Sequence, residues 1–174
     1  EGISLAAVTE TPLVIHLGQR PGPATGMATR TPQADLELAL YAGHGEFPRI
    51  ILSPGDAQEA FDLSRRAFDW ADRYQVPVFV LTDEYLLDSV YEREKLPLED
   101  GSFSHHFVET QPGYLRYRMT EDGISPRGVF GNGTGLVRID SHEHDESGHI
   151  EEDFEMRERM QGKRMSKLDL LERE

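Results

Sequence analysis

The sequence predicts an α/β fold built around a parallel sheet. Short runs rich in β-branched and other apolar residues, at 12–17, 48–52 and 77–81, are bounded by proline or glycine, as strands are. Between the last two runs Ala60, Phe61, Ser64, Ala67, Phe68, Ala71 and Tyr74 recur at helical spacing, and Asp62, Arg65, Arg66, Asp69 and Asp72 occupy the other face. A strand–helix–strand unit of this size needs a crossover connection, so its strands pair parallel and the crossover is right-handed.

The other elements follow in chain order. Residues 2–8 read as the tail of a helix already under way, and 33–43 as a short helix after the first strand. Ser53-Pro-Gly-Asp56 supplies a turn and an N-cap for the long helix, and Thr82-Asp83 caps another that runs toward Tyr91. After Pro97 the texture changes: residues 101–135 carry scattered glycines and prolines, with alternating stretches such as Tyr114-Leu-Arg-Tyr-Arg-Met119 that suggest hairpins against the main sheet. Residues 142–153 form an acidic, histidine-rich loop. Helical spacing returns through Met156, Met160, Arg164, Leu168 and Leu171, a stripe expected to pack on a neighbouring domain or subunit. The expected division is therefore a main α/β unit over 1–95, a loop and hairpin extension over 96–152, and a linker helix over 153–174. The opening on Glu1 without methionine, and the end at Leu170-Leu-Glu-Arg-Glu174 in mid-helix, suggest a piece of a longer polypeptide.

Bulk composition excludes several function classes. At 174 residues the chain can bury a core, and its formal charge of −14 opposes binding to a phosphate backbone, so no nucleic-acid partner is expected. No run of apolar residues is long enough for a membrane span. Cysteine is absent, which rules out disulfides and thiolate-ligated metal within these residues and fits a cytoplasmic protein.

The segment Gln19-Arg-Pro-Gly-Pro-Ala-Thr-Gly-Met-Ala-Thr-Arg-Thr31 carries the strongest chemical signal. It follows the first strand, and open α/β sheets bind ligands just beyond the carboxyl ends of their strands. A guanidinium there offers a planar fork for a carboxylate or phosphate, and threonine hydroxyls can complete the cage. Arg20, Thr25 and Thr29 are thus the candidate anion-binding residues; a surface arginine at a proline-rich turn is the plainer alternative. Other motifs are weaker. Gly131-Asn-Gly-Thr-Gly135 lacks the spacing of a phosphate cradle and reads as a flexible turn. His142-Glu-His-Asp-Glu-Ser-Gly-His149 has metal-ligand residue types without a metal-site register, so no metal is expected there. The pair His105-His106 is weaker still. His16 reads as an interior strand residue, and His44 as a helix C-cap neighbour near the sheet edge that carries Arg20.

Thr9-Glu-Thr-Pro-Leu-Val-Ile15, Gln19-Arg-Pro-Gly-Pro-Ala-Thr-Gly26, Gln33-Ala-Asp35 and Gly43-His-Gly45 closely resemble the α subunit of 2-oxoacid:ferredoxin oxidoreductases, particularly the 2-oxoglutarate synthase type. The resemblance continues through Ser53-Pro54, Tyr74-Gln-Val-Pro-Val78, Thr82-Asp-Glu-Tyr85, Thr120-Glu-Asp-Gly-Ile-Ser-Pro-Arg127 and Glu143-His-Asp-Glu-Ser-Gly-His149, in the family's order over nearly the whole chain. It implies a partial thiamine-diphosphate pyrimidine-domain fold, with residues 1–95 as that domain's C-terminal part. It also implies an enzyme that oxidatively decarboxylates a 2-oxoacid, transfers the acyl group to coenzyme A and passes electrons to ferredoxin. Mg²⁺ and a [4Fe-4S] cluster would be held by a β subunit. The family's arginine after the strand contacts the substrate carboxylate and two hydroxyl residues line the pocket, positions that match Arg20, Thr25 and Thr29 here. The family's Tyr-Pro-Ile-Thr-Pro type motif and its activating glutamate are expected upstream, so no catalytic residue is assigned within this chain and its 174 residues alone should be inactive. Gly and Ser are common in the family at the second and fifth places of the Arg-Pro-Gly-Pro-Ala-Thr loop, where this chain departs. A non-catalytic α/β binding or assembly module is the alternative function.

Overall fold

The computed structural model describes residues 1–96 and 105–174. The sequence boundary at Pro97 and the start of the 101–135 stretch lie outside the described residues. The chain opens on α1 (Gly2–Val8), which leads into β1 (Leu13–Gln19), α2 (Leu36–Tyr41), β2 (Ile50–Leu52), α3 (Ala57–Tyr74), β3 (Pro77–Asp83) and α4 (Glu84–Asp88). The extension then supplies β4 (Val108–Thr110) and β5 (Gly128–Gly133), and the chain finishes with α5 (Phe154–Ser166) and α6 (Leu168–Leu171).

The main sheet has the order β1-β3-β2 and is parallel throughout, as the strand–helix–strand reading requires. Strand β3 is central and buried on both faces, because successive side chains alternate sides. Val78 and Val80 pack with Ala67 and Ala71 of α3, joined by Val14, Ile50 and Leu52. Phe79 and Leu81 face the other way, onto Ala39 of α2 with Ile3, Ile15, Leu17 and Ile51. Small alanines on α3 let that helix approach the sheet closely. The long helix is capped as its sequence indicates: the Asp56 carboxylate accepts the Gln58 and Glu59 backbone N–H groups at 2.7 and 2.9 Å. It ends on Gln75 in the left-handed region at φ +54°, a position more often held by glycine.

Three sequence readings change on contact with the structure. The extension is not a hairpin, because β4 and β5 pair parallel, and Tyr114–Met119 is a turn that buries Arg116 and Tyr117. Asp72 does not face solvent: it accepts hydrogen bonds from Arg127 and from the His106 backbone N–H, fastening the extension to α3. Met160 is fully buried within this chain, so the centre of the apolar stripe on α5 is occupied by the chain's own core.

What seats α5 is a charge cluster. Glu10, in the turn before β1, has no exposed surface; Lys163 and Lys167 donate to its two carboxylate oxygens at 2.5 and 2.7 Å. Arg116 donates to the Glu10 and Thr9 carbonyls at 2.7 and 3.2 Å. Burial alone would raise the Glu10 carboxyl, yet the ammonium groups of Lys167 and Lys163 overcome it and hold it at about 2. Burial pushes Lys163 down to about 8 against the pull of Glu10, and the nearby charges of Lys167 and Arg116 add to the lowering.

Glu10→Gln therefore strands two buried ammonium groups and is expected to cost about 3–5 kcal/mol in urea unfolding at neutral pH. Lys163→Met relieves the surplus charge while keeping an apolar stem, and should stay within about 1 kcal/mol of wild type. The Glu10 carboxyl is depressed in the fold, so its contribution is present above the ordinary 4.5 and is lost as pH falls from there toward about 2. For Lys163 the slope has the same sign: its pKa is also depressed, the unfolded chain binds the extra proton, and stability rises with pH between about 8 and 10.5. An acid titration of unfolding free energy should fall less steeply below pH 4.5 in Glu10→Gln than in wild type.

Candidate functional site

Gln19, the last residue of β1, lies opposite Asp83 of β3, so the loop after β1 and the start of α4 share one end of the sheet. The loop is closed at its base by a pair of bonds. The Asp35 backbone N–H donates to Oε1 of buried Gln19 at 3.2 Å, and the Arg20 backbone N–H donates to the Asp35 carboxylate at 3.4 Å. A second tie joins the loop to β3: the Gln33 amide donates to Asp83 Oδ2 at 2.9 Å. The other oxygen of Asp83 accepts the Leu86 backbone N–H at 2.8 Å and caps α4. Gln33 and then Leu86 stabilise the ionised form, holding the Asp83 carboxyl below the usual range.

Inside the loop the chain folds back on itself. The Met27 N–H donates to the Pro21 carbonyl at 2.9 Å, and the Arg30 N–H to the Met27 carbonyl at 3.0 Å. Arg20 Nε–H donates to the Thr25 carbonyl at 3.1 Å. Among the described residues neither terminal guanidinium nitrogen of Arg20 has a hydrogen-bond partner, and neither do the hydroxyls of Thr25 and Thr29; all three residues are exposed. The structure thus brings Arg20 to Thr25 through the backbone, while Thr29 is not bonded to the guanidinium. A tethered Nε and two open Nη groups make a fork available to one carboxylate.

The remaining sequence candidates fall elsewhere. His44 is not near this sheet end; its backbone N–H donates to Ser4 Oγ of α1 at 2.6 Å, ahead of the start of β2. It lines a cavity of about 580 Å³ with Leu5, Phe47, Arg157 and Arg164, and Glu143 pairs with both arginines. His16 is exposed rather than interior, with Nε2 at 2.7 Å from Thr82 Oγ. The Gly131–Gly135 segment is not a free turn: a Cβ on Gly133 would come within 2.2 Å of the Thr110 carbonyl oxygen, and one on Gly135 within 2.3 Å of that of Gln111.

The acidic histidine loop serves the fold. Arg164 grips Glu143 through both oxygens at 2.9 and 2.7 Å, and His144 is fully buried with its ring 3.8 Å from that of Tyr117. Burial lowers the His144 pKa, opposed by its Nδ1 contact with the His142 carbonyl at 2.9 Å. His142 pairs with Asp140, and His106 with Asp69. Among the described residues no three His, Asp or Glu side chains are grouped to hold a metal ion. No described helix is long and apolar enough to cross a membrane.

Gln19, Gln33 and Asp35 are supporting residues that sequence reasoning missed, as is the tie from Gln33 to Asp83, whose capping role alone was read. Their bonds span 15 to 50 positions, and no local periodicity announces them. The resemblance did include all four within its matching strings, and for Gln19, Gln33 and Asp35 no other sequence signal pointed to them.

Comparison with known proteins fits this geometry. A family model described as "Pyruvate flavodoxin/ferredoxin oxidoreductase, thiamine diP-bdg" matches residues 1–163. The chain belongs to that family. The α subunit of 2-oxoacid:ferredoxin oxidoreductase 2 from Aeropyrum pernix is 42% identical over 180 residues, covering 99% of this chain and 27% of the relative. The KorA subunit of 2-oxoglutarate synthase from Methanothermobacter thermautotrophicus is 38% identical over 157 residues, covering 86% of this chain and 39% of the relative. A solved structure of the 2-oxoglutarate:ferredoxin oxidoreductase from Magnetococcus marinus, with 2-oxoglutarate, coenzyme A and succinyl-CoA bound, superposes with a TM-score of 0.85 at 34% identity, covering 98% of this chain and 30% of that one. The chain thus spans less than half the length of each.

The donor set tests which group these residues can hold. A guanidinium and two hydroxyls suit a carboxylate. At this sheet end the carboxylates of Asp35 and Asp83 accept hydrogen bonds from backbone N–H groups and from Gln33. The family model that matches residues 1–163 is described as thiamine-diphosphate-binding, and without cysteine the chain offers no thiolate to a cluster.

Asp83→Ala removes both the α4 cap and the Gln33 tie. It is expected to cost about 1 kcal/mol in urea unfolding, from the loss of the cap. Hydrogen exchange should show faster exchange at Leu86 and across residues 20–35, while the amides of α3 stay as protected as in wild type.

Proposed function

We propose that this chain is part of the α subunit of a 2-oxoacid:ferredoxin oxidoreductase, and that Arg20 receives the carboxylate of the 2-oxoacid. The observation that supports this reading is the Arg20 side chain, tethered through Nε at the carboxyl end of a parallel sheet with its terminal nitrogens unbonded. Thr25 and Thr29 add hydroxyls to the same loop and would line the pocket. The charge-assisted fork fixes both the position and the orientation of a planar carboxylate, which delivers the neighbouring keto carbon to the reacting centre in a defined pose.

In the whole protein the reaction is thiamine-diphosphate-dependent oxidative decarboxylation, yielding acyl-coenzyme A and reduced ferredoxin. Mg²⁺ and the [4Fe-4S] cluster are assigned to the β subunit; for the cluster, the absence of cysteine here supports that placement. The substrate is 2-oxoglutarate; the names of the KorA relative and of the Magnetococcus marinus structure support that choice. Residues 1–95 form the C-terminal part of the pyrimidine-binding domain, 96–152 its extension, and 153–174 the lead into a following domain. The compartment is the cytoplasm.

In the complete αβ enzyme Arg20→Ala should raise KM for the oxoacid strongly and leave KM for coenzyme A unchanged. Loss of a bidentate charged contact is worth on the order of 2–4 kcal/mol. Arg20→Lys should restore activity only in part, since a point charge cannot reproduce the fork. Steady-state kinetics with each substrate varied in turn provide the check; an unaltered oxoacid KM in the alanine variant removes Arg20 from the site.

A further inference from the structure

The Arg20 fork is only as useful as the loop that aims it, and that loop closes around one glycine. Gly26 adopts φ +51°, and a Cβ built on it would lie 1.7 Å from the Pro21 carbonyl oxygen, 2.8 Å from the Pro21 carbonyl carbon and 3.0 Å from Gly22 Cα. All three are backbone atoms, so no side-chain rotation relieves the clash. The same Pro21 oxygen accepts the Met27 N–H at 2.9 Å, which shows how tightly the turn is drawn. One residue earlier, the Thr25 carbonyl takes the Arg20 Nε–H. Gly22 differs: its nearest neighbour to an added Cβ is 3.8 Å away, so that position tolerates a side chain.

We infer that Gly26 is a positioning residue for Arg20, the absence of its Cβ allowing residues 21–27 to close so that the Thr25 carbonyl holds Nε and leaves both Nη groups free for the substrate carboxylate. This rests on the reading of Arg20 as the carboxylate receiver. An alanine at 26 must push the Pro21 and Thr25 peptides apart, since left-handed backbone is accessible to alanine at modest cost but overlap with a carbonyl oxygen is not. The guanidinium would then keep its charge and lose its tether. Asp35 holds the same residue at its backbone, accepting the Arg20 backbone N–H.

The test is a double-mutant cycle in the complete αβ enzyme, using Gly26→Ala, Arg20→Ala, the pair together, and Gly22→Ala as the control. Gly26→Ala is expected to raise the oxoacid KM at least tenfold, with the coenzyme A KM and the thermal midpoint unchanged. In the Arg20→Ala background the same change should alter KM less than twofold, because there is no longer a fork to aim. Gly22→Ala should match wild type. If Gly26→Ala fails to assemble, Asp35→Ala replaces it in the cycle, with a three- to tenfold rise in the oxoacid KM expected, again absent without Arg20. A flat response to the variant at 26, or to its replacement at 35, beside a strong Arg20→Ala effect overturns the positioning role alone. An equal multiplication of KM with and without Arg20 overturns it as well, since the effect is then structural. A flat Arg20→Ala response overturns the carboxylate reading and takes this inference with it.

Discussion

Burial of β3 on both faces is the constraint that organises this molecule. Its side chains alternate between two helical layers, Val78 and Val80 toward α3 and Phe79 and Leu81 toward α2, so neither layer can be removed without exposing half of the strand. Its register with β1 sets Gln19 opposite Asp83, and that pairing brings the end of one strand, the loop after it and the start of α4 to one place. The Gln33–Asp83 bond becomes possible only because the register is fixed. A slip of one residue would invert every side chain of β3 and send hydrophobic groups to the wrong layer.

At the opposite end of the sheet the molecule relies on charge. Glu10 draws Lys163 and Lys167 of the C-terminal segment into a site with almost no exposed surface, while Arg116 satisfies nearby backbone carbonyls. Such clusters add little net stability compared with apolar packing, but once formed they penalise the loss of any single counter-charge. Burial, with neighbouring cations adding to it, explains why both lysines are pushed toward the neutral form despite a partner at hydrogen-bond distance. The network ties residues near the two ends of the chain together, and the extension is fastened separately through Asp72.

The two ends of the sheet therefore have different characters. One is closed by buried ion pairs and by the His144–Tyr117 contact. The other is open and polar, and its loop is held at the base while its guanidinium terminus remains unbonded. On the role proposed for Arg20, holding it by its backbone and by one nitrogen while leaving the others free would lower the ordering cost of capturing a small carboxylate. The placement follows the general preference of open α/β sheets for ligands at the carboxyl ends of their strands.

Sequence by itself determined the elements whose information is local. The β-branched runs, the periodicity of α3, the Asp56 and Asp83 caps and the unusual Arg20 loop were legible because propensity, alternation and capping act within a few residues. It also singled out Arg20, Thr25 and Thr29. Only the tertiary structure decided what depends on distant partners: that His16 is exposed, that His44 lies at the far end of the sheet, and that β4 and β5 run parallel. Likewise a glutamate at 10 looks like any solvated acid until residues more than 150 positions away bury it. Gly26 belongs to the same class. Its sequence context names a turn, but the reason nothing larger fits there is a carbonyl oxygen whose position the folded loop alone specifies.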